Sequence, residues 1–237
     1  KRMKAVRVDQ SVVNKEVIDE VVALCRRAGE AILEIYARSD LGVEVKADES
    51  PLTAADLAAH HILVDGLEGL LEGAPVLSEE AAAPPFSERI QWQRYWIIDP
   101  LDGTKEFIKR SGEFTVNVAL VENHVPVLGV VHVPVSGVTY TGLSGAGAQK
   151  IEGDQPGQAI AVRTMSGRGG ADKPVTVVAS RSHGAGAVDD LLTRLAKDLG
   201  HTDTCNMGSS LKLCLVAEGS ADIYPRLAPT MEWDTAA

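Results

Sequence analysis

The sequence predicts a layered α/β protein with an α+β first half, and hydrophobic periodicity is the main observation behind this prediction. Apolar residues recur at steps of three and four over residues 14–37 and again over 53–71, which is the spacing of two amphipathic helices. Short apolar runs bounded by glycine and turn residues then predict a meander of strands. These runs lie at residues 75–78, 94–99, 114–121, 127–134 and 138–143.

The second half of the chain has a different composition. Residues 152–174 are rich in Gly, Pro and polar residues, and they read as a linker that contains one short strand, AIAVR. Strand and helix patterns alternate beyond it, so we predict an N-terminal α+β unit at residues 1–155 and a C-terminal α/β unit at 156–237. The predicted C-terminal elements are strands at 174–180 and 221–227 and helices at 185–199 and 209–219.

Bulk properties exclude several classes of protein. The chain has 237 residues and a formal net charge of −10, which argues against binding to a nucleic acid polymer. The longest apolar run, residues 125–135, is interrupted by two prolines and a histidine, so we expect no stable membrane insertion. The basic N-terminus lacks the apolar segment of a secretory signal. Cys25, Cys205 and Cys214 show no metal-ligand spacing and are expected to be buried, reduced thiols of a cytoplasmic protein.

The stretch WIIDPLDGTKEFI places two aspartates just past a buried strand. Pro100 cannot extend a central strand, and Gly103 permits the backbone angles of a tight turn. Thr104 is then expected to cap a helix that begins KEFIKR. Two interpretations stay open at this point. Asp102 is either a solvated cap in an Asp-Pro turn, or it joins Asp99 and the Leu101 carbonyl in binding a cation.

Three other acidic positions also follow strand ends or open helices. Taken singly, Glu79 in LSEEA is a solvated charge, Asp234 in EWDTAA is an N-cap, and Thr53 with Asp56 forms a capping box. If Glu79, Asp102 and Asp234 converge with Asp99, each pair repels by about 3–4 kcal/mol at an effective dielectric constant near 20. A cation must then lie between them, and hard oxygen ligands select Mg²⁺ or Mn²⁺.

The motifs DPLDGT, SEE, PLTAAD and WDTAA resemble the lithium-sensitive, magnesium-dependent phosphatase superfamily that includes inositol monophosphatase. The resemblance is strongest to its bacterial 3′(2′),5′-bisphosphate nucleotidase branch, the CysQ type. WQRYWIIDPLDGTKEFIKRSGEFTVNVAL, SRSH and GSSLKLCLVAEGSADIYPR carry it, so it covers nearly the whole chain. It implies an αβαβα sandwich of the inositol monophosphatase and sugar phosphatase type.

The resemblance also implies roles for individual residues. Asp56 and Thr104 would activate the attacking water, and Glu79 would assist through a metal. The implied metal ligands are Glu79, Asp99, the Leu101 carbonyl, Asp102 and Asp234. The implied substrate contacts are Glu79, Leu101, Asp102, Gly103, Thr104, His183, Ser209, Lys212, Arg226 and Asp234, with Arg181 as a further phosphate contact.

Local interpretations of the substrate residues stay open beside the implied ones. Ser209 is then an N-cap, Lys212 a solvated side chain and Arg226 an ion-pair partner. The chain stops three residues after Asp234, where the family continues, so the C-terminal half is expected to be truncated. Three residues cannot sustain a helix, and Asp234 is therefore expected on a frayed end.

The activity that the resemblance implies is hydrolysis of the 3′-phosphate of adenosine 3′,5′-bisphosphate (PAP) to AMP, which clears a by-product of sulfate assimilation. Two or three Mg²⁺ ions would serve as cofactors, with Mn²⁺ as a substitute and Li⁺ as an inhibitor. We expect a cytoplasmic monomer. Activity on phosphoadenosine phosphosulfate (PAPS) and peripheral association with the inner face of the membrane stay open.

Two other functions stay open as well. An inositol-phosphate or sugar-phosphate monoesterase would use the same catalytic residues. A non-catalytic sensor of metal and nucleotide would keep the metal ligands but would have no need for Thr104 beside Asp56.

Overall fold

The computed structural model describes residues 13–45, 51–179, 185–227 and 229–237, and it has the predicted mixed α/β layered architecture. The helices are α1 (Lys15–Tyr36), α2 (Ala54–Glu68), α3 (Phe86–Arg89), α4 (Thr104–Ile108), α5 (Ala185–Leu199) and α6 (Leu211–Ala217), with a 3₁₀ helix at Glu232–Asp234. The strands are β1 (Glu44–Val45), β2 (Pro51–Leu52), β3 (Val76–Ser78), β4 (Arg94–Asp102), β5 (Thr115–Glu122), β6 (Val125–Val133), β7 (Val138–Leu143), β8 (Gly147–Glu152), β9 (Gln158–Ile160), β10 (Val175–Ala179) and β11 (Thr202–Asn206).

Two long helices form the first layer, and both begin at side-chain caps. The Asn14 carboxamide oxygen accepts a hydrogen bond from the Val17 amide at 3.2 Å at the start of α1. Thr53 and Asp56 form a reciprocal capping box at the start of α2. These bonds satisfy backbone donors that have no partner inside the helix. Both predicted helices are confirmed, although α2 ends at Glu68 rather than near residue 71.

A seven-stranded sheet forms the second layer, with its strands in the sequential order β3 to β9. β3 runs parallel to β4, and every later neighbour is antiparallel. Seven of the eight residues of β5 are buried, which shows that the centre of the sheet is covered on both faces. The five predicted strands of the meander are confirmed, but the expectation that Pro100 ends the strand at residue 99 is wrong. β4 continues through Pro100 to Asp102, with an irregularity in its pairing to β5 between Asp99 and Asp102. β8, with the sequence GAQKIE, was not predicted because it lacks an apolar alternation.

The two faces of this sheet pack against different parts of the chain. Trp96 and Ile98 belong to the core that α1 and α2 cover. Ile97, on the opposite face, packs in a smaller cluster against Trp233 and Ala237. The residues around Asp234 therefore pack on the sheet, and the expectation of a frayed end is wrong.

The C-terminal half contains a two-stranded parallel sheet, β10 and β11, and α5 connects the two strands. The predicted strand at 221–227 is wrong. Only an isolated bridge joins Val177 to Ile223, and Pro225 has no N–H with which to extend a ladder. β9 joins the first sheet beyond residue 155, and the division of the chain at that point stays a prediction.

Other expectations concern cysteines and membrane spans. The three cysteines are free thiols, with Cys25 and Cys214 buried as predicted and Cys205 partly exposed. Among the described ranges, no helix is both long and apolar enough to span a bilayer.

A buried ion pair holds the loop after α6. The side chain of Asp222 is fully buried, and its Oδ2 lies 2.7 Å from Arg163 Nη2 and 3.2 Å from Arg168 Nη2. The same oxygen accepts a hydrogen bond from the Thr176 amide of β10 at 2.8 Å. The carboxylate thus fastens this loop both to the linker and to the second sheet.

We expect Asp222→Asn to lower the free energy of unfolding by about 3 kcal/mol, because it leaves two partly buried guanidinium groups without their counter-charge. Urea denaturation measures the change. Asp19→Asn is the control, since Asp19 pairs with Lys15 at the surface and its loss changes stability by about 0.5 kcal/mol or less. Equal losses in the two variants would contradict the structural role of Asp222.

Candidate active site

The end of β4 carries two aspartates on one face of the sheet. Asp99 pairs with Asn117 of β5, and Asp102 pairs with Thr115, so β4 advances three residues while β5 advances two. In a regular strand, side chains three residues apart point to opposite faces. The irregularity between the two aspartates turns both to the same side. The Leu101 amide donates to Asp99 Oδ1 at 3.1 Å and stabilises this turn.

Two further carboxylates reach the same place. Glu79 follows β3, and its amide donates to the Ile98 carbonyl of the adjacent β4. Asp234 ends the 3₁₀ helix, where Oδ2 accepts hydrogen bonds from Thr230 Oγ1 at 2.7 Å and from the Met231 amide at 3.0 Å. One oxygen from each of Glu79, Asp99 and Asp234 lies within 4.8 Å of the others. Asp234 is thus the third residue of its short helix and not the N-cap.

The electrostatics of this cluster favour a bound positive charge. Burial raises the pKa of Asp99 well above its usual value, and the charges of Asp102, Glu79 and Asp234 raise it further. Burial and the charge of Asp234 raise the pKa of Asp102 to about 6, against the opposing effects of Lys212 and of a backbone hydrogen bond. The candidate ligand atoms of Glu79, Asp99 and Asp234 are carboxylate oxygens, and a hard divalent cation fits such a donor set. The residues present therefore suit Mg²⁺ or Mn²⁺.

Asp56 and Thr104 form a second pair beside the carboxylates. Asp56 Oδ2 accepts hydrogen bonds from the Thr53 amide at 2.7 Å and the Thr53 hydroxyl at 2.5 Å. Its Oδ1 lies 3.2 Å from the Thr104 hydroxyl, which is also 3.3 Å from the Leu101 carbonyl. The capping box is real, and it leaves one carboxylate oxygen of Asp56 directed at Thr104.

The start of α4 differs from the prediction. Gly103, with φ of 94°, is the N-cap, and Thr104 is the first helical residue rather than the cap. The left-handed φ favours glycine here, and a Cβ atom on Gly103 would also lie in tight contact, 3.1 Å, with the Glu113 carbonyl oxygen. The Thr104 hydroxyl is consequently available to Asp56.

A cleft of about 280 Å³ opens next to Asp102. Lys212 in its wall is only 6% exposed, so the solvated interpretation of this residue is wrong. Its Nζ donates to the Ser209 carbonyl at 2.5 Å and lies 5.4 Å from the ring centroid of Tyr224. Arg226 Nη2 donates to the Pro229 carbonyl at 2.7 Å. The cleft thus has a cationic wall close to an acidic one.

Of the remaining predicted substrate residues, the structure describes some and not others. Ser209 lines the cleft and is not the N-cap residue of α6, which is Ser210, although Ser209 Oγ accepts a hydrogen bond from the Leu211 amide at 3.4 Å. His183 and Arg181 lie outside the described residues. The prediction missed the hydrogen-bonded set Thr115, Asn117 and Ser210. Polar residues at alternate positions of the otherwise apolar run FTVNVALV are the signal that could have indicated two of them.

Several proteins of known name or structure are similar to this chain over most of its length. A protein of Salmonella typhimurium named 3′(2′),5′-bisphosphate nucleotidase CysQ is 48% identical over 221 residues, which cover 93% of this chain and 84% of that protein. An Escherichia coli K12 protein of the same name is 47% identical with the same coverage. The crystal structure of CysQ from Bacteroides thetaiotaomicron, described as a bacterial member of the inositol monophosphatase family, aligns with a TM-score of 0.80 and 43% identity over 95% of this chain and 84% of its own.

A solved structure with lower sequence identity also aligns with this chain. The inositol monophosphatase of Thermotoga maritima aligns with a TM-score of 0.75 and 26% identity, over 94% of this chain and 80% of that one. The model of the inositol monophosphatase family matches residues 13–237. A match that includes both the carboxylate cluster and the cationic cleft leaves one conclusion: the chain belongs to the inositol monophosphatase family.

Proposed function

We propose that the protein is a Mg²⁺-dependent phosphomonoesterase that removes the 3′-phosphate of adenosine 3′,5′-bisphosphate and releases AMP and inorganic phosphate. Membership of the family and the names of the relatives at 47–48% identity support the reaction class. One observation in the structure carries the choice of substrate: Lys212 is held nearly buried in the cleft beside Asp102. A buried cation in such a cleft suits a second anionic group on the substrate.

The cofactor follows from the donor set. Glu79, Asp99 and Asp234 would hold a divalent cation, with Asp102 and the Leu101 carbonyl beside them. When bound, the cation supplies positive charge for the phosphate oxygens and lowers the pKa of a coordinated water. Two or three Mg²⁺ ions, replacement by Mn²⁺ and inhibition by Li⁺ form part of the proposal.

Thr104 and Asp56 would orient the attacking water. If the Thr104 hydroxyl donates its single hydrogen to Asp56 Oδ1, its lone pairs can accept a hydrogen bond from that water. The water oxygen forms a bond to phosphorus and the water gives up a proton, the bond from phosphorus to O3′ breaks, and the departing oxygen takes up a proton, so one water is consumed overall. The bonds from Thr53 keep Asp56 in one orientation throughout.

The cleft would hold the rest of the nucleotide. Lys212 and Arg226 both line it and would bind the 5′-phosphate, which an inositol monophosphate lacks. A sensor without catalysis would not require the hydrogen bond between Thr104 and Asp56. Both alternative functions are therefore less well supported than the nucleotidase. The monomeric state, the cytoplasmic location and activity on PAPS stay predictions.

If the cluster binds a metal, removing one of its carboxylates should have opposite effects on the melting temperature without and with Mg²⁺. In the absence of divalent cations, Asp99→Asn is expected to raise the melting temperature by about 2–4 °C, because it removes one buried charge from a repelling cluster. The same variant is expected to lose the stabilisation that Mg²⁺ gives the parent protein. Thermal unfolding with and without Mg²⁺ measures both effects, with Asp198→Asn on α5 as the surface control. A melting temperature for Asp99→Asn that falls without Mg²⁺ and still rises with it would contradict the metal site.

The water-orienting pair predicts a loss of turnover without a loss of metal. Thr104→Val keeps the shape of the side chain but removes the hydroxyl, so kcat should fall by about a hundredfold or more. Thr104→Ser keeps the hydroxyl and should retain most of the activity. Thermal stabilisation by Mg²⁺ should be the same in both variants. Similar kcat values for Val and Ser at this position would rule out a role for the hydroxyl.

The choice of substrate is tested by phosphate release from adenosine 3′,5′-bisphosphate and from inositol 1-phosphate, with Mg²⁺ and then with added Li⁺. The parent protein should act on the nucleotide and be inhibited by Li⁺. Lys212→Ala should raise KM for the nucleotide by roughly tenfold or more, since it removes a charged hydrogen-bond donor, whereas exposed Lys197→Ala should not.

The other outcomes separate the parts of this proposal. Preference for inositol 1-phosphate would keep the catalytic residues and reject the roles of Lys212 and Arg226. Release from neither substrate would reject the phosphomonoesterase activity itself.

A further inference from the structure

A chain of buried hydrogen bonds lies behind the carboxylates and joins β5 to α6. Ser210 Oγ donates to Asn117 Oδ1 at 2.9 Å and lies 2.8 Å from Thr115 Oγ1. A hydroxyl has one hydrogen, so Thr115 must donate to Ser210 when Ser210 donates to Asn117. All three side chains are at least 94% buried. We call this set the Thr115–Ser210–Asn117 chain.

The two strand residues of this chain face the aspartates directly. Asn117 is the cross-strand partner of Asp99, and Thr115 is the partner of Asp102. Side chains of directly opposed residues project from the same face of a sheet. Asn117 Nδ2 is buried and has no hydrogen-bond partner among the described residues. Such a donor can bind only an acceptor, such as a water or a phosphate oxygen held at the cation site, and not the cation itself.

The Ser210 side chain does not cap α6, although Ser210 occupies the N-cap position. Serine at an N-cap usually bonds the amide two or three residues ahead. Its hydroxyl instead bonds two strand residues that lie 93 and 95 positions earlier in the sequence. The Ser210 side chain therefore connects α6 to the sheet instead of capping the helix.

The backbone of Ser210 contacts the metal site directly. Its amide donates a hydrogen bond to Asp102 Oδ2. The preceding turn is held as well, since the Gly208 amide donates to Glu113 Oε2 at 2.8 Å and Lys212 Nζ donates to the Ser209 carbonyl at 2.5 Å. A shift of Ser210 would thus move an aspartate at one end and the cationic wall of the cleft at the other.

We propose that the Thr115–Ser210–Asn117 chain is a positioning network that couples cation binding at the carboxylates to the placement of Lys212 in the cleft. The inference rests on the proposed function, because it assumes a divalent cation at Asp99 and Asp102. Its members act through Asp102 and α6. Groups that only orient metal ligands typically change metal affinity by 10- to 100-fold when they are lost.

Thr115 allows a test that separates hydroxyl from shape. Thr115→Val keeps the volume and removes the hydroxyl, whereas Thr115→Ser keeps the hydroxyl and loses a methyl group. The Mg²⁺ concentration for half-maximal thermal stabilisation should rise roughly tenfold in Thr115→Val and stay close to the parent value in Thr115→Ser. KM for adenosine 3′,5′-bisphosphate should rise in parallel with it. Thr139→Val is the matched control, because Thr139 is fully buried and bonds His132 away from the site.

Ser210→Ala tests the other end of the network and serves if Thr115→Val does not fold. Ser210→Ala should weaken Mg²⁺ binding about as much as Thr115→Val does, and it should raise KM. Its melting temperature in the absence of metal should be similar to that of Thr139→Val. Parent-like Mg²⁺ response and KM in Ser210→Ala would overturn the network while leaving the proposed function intact. A greater loss in Thr115→Ser than in Thr115→Val would also overturn it, since packing would then be what Thr115 contributes. Absence of any Mg²⁺ response in the parent protein would overturn the proposed function and this inference together.

Discussion

Mutual repulsion among buried carboxylates is the constraint on which the rest of this site depends. Glu79, Asp99 and Asp234 place oxygens within 4.8 Å of one another, and Asp99 is almost fully buried. In an interior of effective dielectric near 20, such pairs oppose folding by several kcal/mol unless a cation lies between them. The sheet supplies the rigidity that holds them in place, because β4 is paired on both sides and covered by helices on one face.

The geometry of one strand end connects this constraint to chemistry. A single irregularity in the pairing of β4 with β5 turns Asp99 and Asp102 to one face, and the tight turn at Gly103 then brings Thr104 to Asp56. The same aspartates face Asn117 and Thr115, through which Ser210 holds α6. The acidic cluster and the cationic cleft are thus parts of one arrangement, although their residues come from distant parts of the chain. The proposed binding of a doubly phosphorylated nucleotide by an acidic protein depends on this local positive charge.

The sequence predicts the elements whose signal is strong. The apolar period of α1 and the buried runs of β4 and β5 predicted this helix and these strands correctly. The acidic positions were indicated by their place after strand ends or at helix starts, together with the resemblance of their motifs to the family. β8 and β11 were not predicted, because GAQKIE and TDTCN carry few apolar residues. The run 221–227 has a strand-like composition, yet the ion pairs of Asp222 and the missing N–H of Pro225 keep it a loop. The role of Ser210 depends on contacts 93 positions away, and no local pattern contains that information.

The central claim is that the carboxylates at the end of β4 bind a divalent cation, and crystals grown with Mn²⁺ test it most directly. The anomalous scattering of manganese would reveal the ion independently of any assumption about the reaction. We expect an anomalous peak among the carboxylates of Glu79, Asp99 and Asp234, in contact with their oxygens. Peaks elsewhere on the protein, with none at this cluster, would contradict it.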